Sequence, residues 1–129
     1  HGIEVVMDVE PDLPEIYCYP DELNQVWTNI IHNAIYAMKG MGLLEVSIRK
    51  IKGELVVAIT DNGPGIPPEL QDKIFDPFFT TKPQGEGTGL GLDLCRRIIA
   101  KHGGRLNVTS QPGHTTFEVV LPLRLRAGR

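Results

Sequence analysis

LVVAITDNGPGIP, residues 55–67, is the stretch whose reading decides the fold. Its first half alternates. Leu55, Val57 and Ile59 fall on one face, and Val56, Ala58 and Thr60 on the other, as in a half-buried strand. Asp61 continues the phase of Leu55, Val57 and Ile59. If that face is the core, a carboxylate lies at the rim of an apolar layer and must accept hydrogen bonds. A plainer role is also open, because an Asp before NGPG can bond the backbone of its own turn. Gly63 and Gly65 then permit positive φ or a close approach of backbone to a ligand. Pro64, Pro67 and Pro68 stiffen the same turn.

Upstream, LLEVSIRKI (43–51) alternates Leu44, Val46 and Ile48 against Glu45, Ser47 and Arg49. With KGE as a turn it makes a hairpin with residues 55–61. Before it, ELNQVWTNIIHNAIYAM (22–38) sets Leu23, Val26, Trp27, Ile30, Ala34 and Ala37 at helical spacing. Asp21, after Pro20, occupies the expected N-cap. KGMG stops that helix. At the start, GIEVVMDVE reads as a strand. PDLPEIYCYP reads as connector, with room for a short strand at Ile16 to Cys18. Downstream, a long irregular stretch runs from Asn62 to Glu86, holding at most a short helix near Glu69 to Ile74. A helix from about Thr88 to His102 follows, stopped by Gly103 and Gly104. RLNVTSQ and TTFEVVLPL form a last hairpin around PGH. The order β, α, ββ, loop, α, ββ predicts an α+β fold. It is a two-layer sandwich with a mixed, mostly antiparallel sheet covered on one face by helices.

The 129 residues fit one domain spanning 1–129, long enough to bury a core without staples. Its abrupt opening on a strand reads as a domain cut from a longer protein. The net charge of −3 argues against a general binder of nucleic acid or anionic membrane. The basic end RLRAGR reads as a solvated tail. Cys18 and Cys95 belong to no CxxC pair and read as free thiols in a reducing compartment, with one disulfide left open. No apolar run is long enough to span a bilayer.

Three further constellations carry chemistry. Asn29 and Asn33, four apart, share one helical face among apolar neighbours, so their amides need partners. Either they tie the helix to nearby backbone, or one amide oxygen joins phosphate oxygens around Mg²⁺, which keeps several waters. His32 points about 100° away from Asn33 and reads as packing or surface. The long irregular stretch exceeds the usual limit of about 12–15 residues, as lids and binding loops do. It contains IFDPFFTTK, with three of the four phenylalanines, then Lys82 and the pliable PQGEG. Finally, GEGTGLGLDL (85–94) puts Gly87, Thr88, Gly89 and Gly91 at a helix start. Exposed N–H groups and the positive dipole end make an anion site there. The stretch follows a loop rather than a strand, so it is no dinucleotide fingerprint, and no P-loop is present.

In this order the segments resemble the catalytic and ATP-binding domain of bacterial sensor histidine kinases. That family shares its fold (the Bergerat fold) with gyrase-type, mismatch-repair and heat-shock chaperone ATPases. NQVWTNIIHNA is similar to its N box, DNGPGIP to the first glycine box, IFDPFFTTK to the F box and GTGLGL to the second glycine box. The PFFTTK form looks closest to nitrogen-regulation-like kinases. The resemblance covers nearly the whole chain from Asp21 onward. It implies that Asn33 holds Mg²⁺ on the phosphates of ATP, with Asn29 near them. Asp61 would accept from the adenine N6 amine, with Gly63, Gly65 and Ile66 around the base. Phe75 and Phe78 would anchor an ATP lid. Lys82 would reach the terminal phosphate, with Thr81 beside it. Gly87, Thr88, Gly89, Leu90 and Gly91 would line the phosphates.

The sequence departs from many such kinases at Tyr36 and Ala37, where they carry a lysine and a tyrosine. This leaves Lys82 to supply the positive charge. Gyrase-type ATPases have a general-base glutamate where this chain has Asn29, and an amide cannot take a proton from water. Transfer to another nucleophile is therefore expected over hydrolysis. The family's nucleophile is a histidine on a separate dimerisation domain, and none of His1, His32, His102 or His114 suits that role. The resemblance implies a cytoplasmic, monomeric domain that binds ATP and turns over little alone, and that serves a response regulator indirectly. Whether the whole protein is membrane-anchored stays open. Two alternatives are a non-catalytic nucleotide-sensing module and an anti-sigma-type serine kinase on the same fold.

Overall fold

A computed structural model describes residues 2–16, 18–76 and 91–123. Phe78, Thr81, Lys82, Gly87, Thr88, Gly89 and Leu90 lie outside the described residues, as do the PQGEG stretch and the basic tail. Strand β1 is Ile3–Val9, helix α1 Pro20–Ala37, strand β2 Gly42–Ile51 and strand β3 Glu54–Asp61. A 3-10 turn at Pro68–Leu70 follows, then helix α2, Gly91–Lys101, and strands β4, Arg105–Gln111, and β5, His114–Pro122. The strands form one sheet in the order β1-β2-β3-β5-β4. Only β1 and β2 are parallel; the other pairs are antiparallel. This is the predicted mixed α+β sandwich.

The alternation read from the sequence sets which face is covered. Leu44 and Val46 of β2, Val57 and Ile59 of β3 and Phe117, Val119 and Leu121 of β5 are buried with Leu23, Val26, Ile30 and Ala34 of α1. From α2, Cys95, Ile98 and Ile99 complete the layer. Leu94 is half-buried and packs against this layer beside the fully buried Cys95. On β1 the side chains in line with Leu44 and Val46 lie beyond the helices, so Val5 and Met7 are exposed. The β2–β3 turn places Lys52 at φ 50° and Gly53 at φ 80°, the pair of positive φ values that suits a two-residue hairpin. Neither Ile16 nor Cys18 belongs to a strand, and both cysteines are free thiols. No described helix is long and apolar enough to cross a membrane.

The start of α1 differs from expectation. The helix begins at Pro20, one residue before the expected cap, and its N-cap is Tyr19 with no side-chain cap. Proline suits the first helical position because its φ is preset and it has no N–H to satisfy. The Tyr19 carbonyl accepts the N–H groups of Glu22 and Leu23, each at 3.0 Å. Asp21 therefore sits inside the first turn, where its charge faces the positive end of the helix dipole.

The Tyr19 N–H goes to His102. It donates to Nε2 at 3.0 Å, so the opposite nitrogen, Nδ1, carries the proton and donates to the Ile98 carbonyl at 2.9 Å. His102 thus ties the entry of α1 to the exit of α2. That exit closes as the glycines predict: Gly103 has φ 78° and donates to Ala100, and Gly104 donates to Ile99. Replacing His102 by Leu removes both side-chain bonds and orphans the Tyr19 N–H, so a loss of about 1–3 kcal/mol is expected in urea unfolding. An unchanged unfolding midpoint would contradict this role.

Candidate functional site

Asp61 ends β3 on the core face, as its phase predicts, and is 4% exposed. Its Oδ1 accepts the Gly63 N–H at 2.8 Å. Both readings of this residue hold together, since it bonds its own turn and faces inward. Burial raises its pKa above the ordinary 3.8, while the Gly63 N–H and the charge of His114 act the other way. The next residue, Asn62, turns its Oδ1 to the Leu43 N–H at 2.9 Å and fastens the loop to the start of β2.

The glycines of the loop are required by close approach. A Cβ on Gly63 would lie 3.0 Å from Asp61 Oδ1 and 3.3 Å from the Ala37 carbonyl, so the loop runs tight against the last turn of α1. Gly65 has φ 92°, and a Cβ there would lie 2.7 Å from the Gln111 carbonyl in the β4–β5 hairpin. The hairpin holds the loop by further bonds. Gly113 N–H donates to the Gly63 carbonyl at 2.9 Å, and Ile66 N–H donates to Ser110 Oγ at 2.8 Å. Gln71 Nε2 donates to the carbonyls of Ile66 and Ser110 at 2.9 and 3.4 Å.

Asp61, Thr115 and Ser110 stand in register across β3, β5 and β4. Thr115 is buried, and its hydroxyl lies 2.7 Å from that of Ser110. The sequence reading missed this polar row. A signal existed, because Thr115 shares the phase of Phe117, Val119 and Leu121, which makes it a polar residue on a core face.

Asn29 and Asn33 are both half-buried on α1, and Asn29 meets α2. Asn29 Nδ2 donates to the Gly91 carbonyl at 3.3 Å, which brings the N box to the last glycine of GTGLGL. A Cβ built on Gly91 would come no closer than 3.7 Å to Asn29, an ordinary contact. Phe75 is buried under the Arg96 guanidinium, 4.8 Å from its ring centre, which roots the start of the F box on α2. His32, Ile35, Tyr36, Lys39 and Gly40 line a cavity of about 380 Å³ on the outer side of α1. Lys39 thereby adds a positive charge beside Tyr36, where many of the resembling kinases have lysine.

Two of the predicted segments meet α1: Gly63, bonded to Asp61, packs against Ala37, and Gly91 accepts from Asn29. Among the described residues no three His, Cys, Asp or Glu side chains converge as a metal cage. One amide oxygen on Asn33, shared with phosphate oxygens, is the kind of donor set that suits Mg²⁺ and not a metal held by protein alone.

Residues 18–125 match the model of the histidine kinase-, DNA gyrase B-, and HSP90-like ATPase family. The chain belongs to that family. Sensor histidine kinases are among its relatives. It is 40% identical over 135 residues to the sensory histidine kinase/phosphatase NtrB of Escherichia coli O157:H7, covering 95% of this chain and 38% of NtrB. The chain therefore spans well under half of that relative. The catalytic domain of histidine kinase ThkA superposes with a TM-score of 0.83 at 32% identity, over 94% of this chain and 80% of that one. ThkA is also solved in complex with the response regulator protein TrrA. Full-length ShkA, solved with AMPPNP, gives 0.84 at 29% identity over 98% of this chain and 27% of ShkA.

The raised pKa of Asp61 has a consequence for stability. The folded protein holds the Asp61 proton more tightly than the unfolded chain does. Above the folded pKa, burying the charge costs stability, and the cost vanishes as the pH falls through that pKa. Asp61→Asn keeps an oxygen for the Gly63 N–H and removes the charge. The variant is expected to melt above the parent at about pH 7, with the gain gone at 3.8 and below. A difference in melting temperature that does not change with pH would contradict the burial of the charge.

Proposed function

We propose that this chain is the catalytic, ATP-binding part of a sensor histidine kinase. It binds ATP with Mg²⁺ and passes the γ-phosphate to a histidine on a separate dimerisation domain, from which a response regulator is served. The observation that carries the reading is the buried, inward-facing Asp61 carboxylate beside a loop where a Cβ would be crowded at Gly63 and would clash with backbone at Gly65. An ionised carboxylate only accepts hydrogen bonds, so its natural partner is the exocyclic amine of adenine. Ile66 follows the loop and offers an apolar flank to the base.

At the phosphate end, Asn33 would hold Mg²⁺, and the ion would supply positive charge to the phosphates. Gly91 and the preceding Gly87, Thr88, Gly89 and Leu90 would offer backbone N–H groups to the phosphates. Lys82, with Thr81 beside it, would reach the terminal phosphate, and Phe78 would anchor the lid.

The absence of a base at position 29 separates transfer from hydrolysis. Asn29 is an amide engaged with protein partners and cannot activate water. Phosphoryl transfer needs positioning and charge neutralisation more than covalent help. A histidine ring nitrogen brought in by another domain then attacks the γ-phosphorus, and ADP leaves with the electron pair of the broken bond. The working protein on this reading is a cytoplasmic monomeric domain when alone, with slow turnover.

The test is to mix the chain with ATP·Mg²⁺ and a separately made dimerisation domain from the same protein. A phosphorylated product that is labile in acid and stable in base is expected, and Asn33→Ala should reduce its formation at least about 100-fold. An acid-stable phosphoserine on a partner, or nucleotide binding with no transfer, would overturn the kinase reading.

A further inference from the structure

The crossing of α1 and α2 contains a polar clasp that the nucleotide reading leaves unused. The Gly91 carbonyl can only accept, so the group of Asn29 facing it at 3.3 Å must be the Nδ2 amine. That orientation turns Oδ1 away, toward Gln25, whose Nε2 donates to it at 2.9 Å. Gln25 and Asn29 are four apart on α1, and each is fixed by the polarity of the next group in line. The chain of bonds is therefore set from a backbone carbonyl outward, with no free choice of amide flip.

Cys95 belongs to the same cluster. Its thiol is fully buried and lies 3.8 Å from the Val26 carbonyl on α1. Burial pushes the thiol pKa up to about 11, with a bond to Asn29 acting against it. In helical geometry the Cys95 N–H is the partner of the Gly91 carbonyl, so that carbonyl receives one donor from within α2 and one from α1. Gly91 opens α2, and everything in GTGLG before it must arrive through that point.

We propose that Asn29 is a positioning residue, whose amide, oriented by Gln25, clamps the first carbonyl of α2 to α1 and so sets where the glycine-rich approach meets the phosphates. The second half of this statement rests on the ATP reading; the clasp itself does not. The two N-box asparagines then divide the work. Asn33 would hold the metal, and Asn29 holds the helix that presents the N–H groups.

Amide hydrogen exchange of the nucleotide-free protein, read by NMR at Cys95, tests the clasp directly. Asn29→Ala should speed exchange there about two- to tenfold, the worth of one hydrogen bond. Gln25→Glu, which sets an acceptor against Asn29 Oδ1, should act in the same direction. The affinity for ATP·Mg²⁺ should fall two- to tenfold in both clasp variants. If Asn29→Ala fails to fold, Gln25→Glu on the exposed side of the helix carries the test alone. Unchanged Cys95 exchange in the clasp variants overturns the clasp. Faster exchange with unchanged ATP affinity overturns its link to the phosphates. A parent protein that binds no ATP defeats the nucleotide reading instead, and the exchange result still decides the clasp.

Discussion

The carboxylate of Asp61 is the constraint around which the rest is arranged. An ionised group at 4% exposure on an apolar sheet face is costly unless it has donors. The chain provides one through the Gly63 N–H, and that bond needs a loop turned sharply back on the end of β3. Such a loop can pass only where α1 and the β4–β5 hairpin leave a gap narrower than a side chain, hence Gly63 against Ala37 and Gly65 against Gln111. Ser110, Gln71 and Gly113 then lock the loop with four hydrogen bonds. The result is a rigid acceptor at the mouth of the core, a feature that costs stability and that a ligand with a donor would satisfy.

The second support is the pairing of the two helices. They cover the same sheet face and are tied at both ends of their crossing. His102 joins the exit of α2 to the entry of α1, and Asn29 joins the entry of α2 to the middle of α1. The apolar contacts of Val26, Ile30, Cys95 and Ile99 between these ties supply most of the free energy, being fully buried. The polar ties fix relative position. Since the glycine-rich segment leads into α2, the fold's own packing determines where that segment ends.

Much of this was readable from the sequence, and the misses have physical causes. Period-two alternation gave the strands and the inward phase of Asp61, because side-chain direction in a strand follows from counting alone. The stop at Gly103 and Gly104 was readable because a left-handed residue after a helix nearly demands glycine. The N-cap of α1 is Tyr19, two residues before the expected Asp21. Asp21 has the better capping side chain, but Pro20 is fixed in φ and takes the first helical position. His102, Ser110 and Thr115 were not seen as partners because their contacts depend on tertiary register, which no local pattern contains. The four boxes were clear as motifs, while the bonds joining Asn29 to Gly91 or Gly65 to the hairpin required coordinates.

Nucleotide selectivity tests the central claim most directly, because adenine offers a donor at N6 where guanine offers a carbonyl at O6. Calorimetric titration of the unmodified protein with ATP·Mg²⁺ and, separately, GTP·Mg²⁺ measures it. A buried acceptor at Asp61 predicts that ATP binds and that GTP binds at least about 100-fold more weakly, since two acceptors would face each other. Equal affinity for the two nucleotides would contradict the assignment of Asp61 and with it the proposed placement of the base.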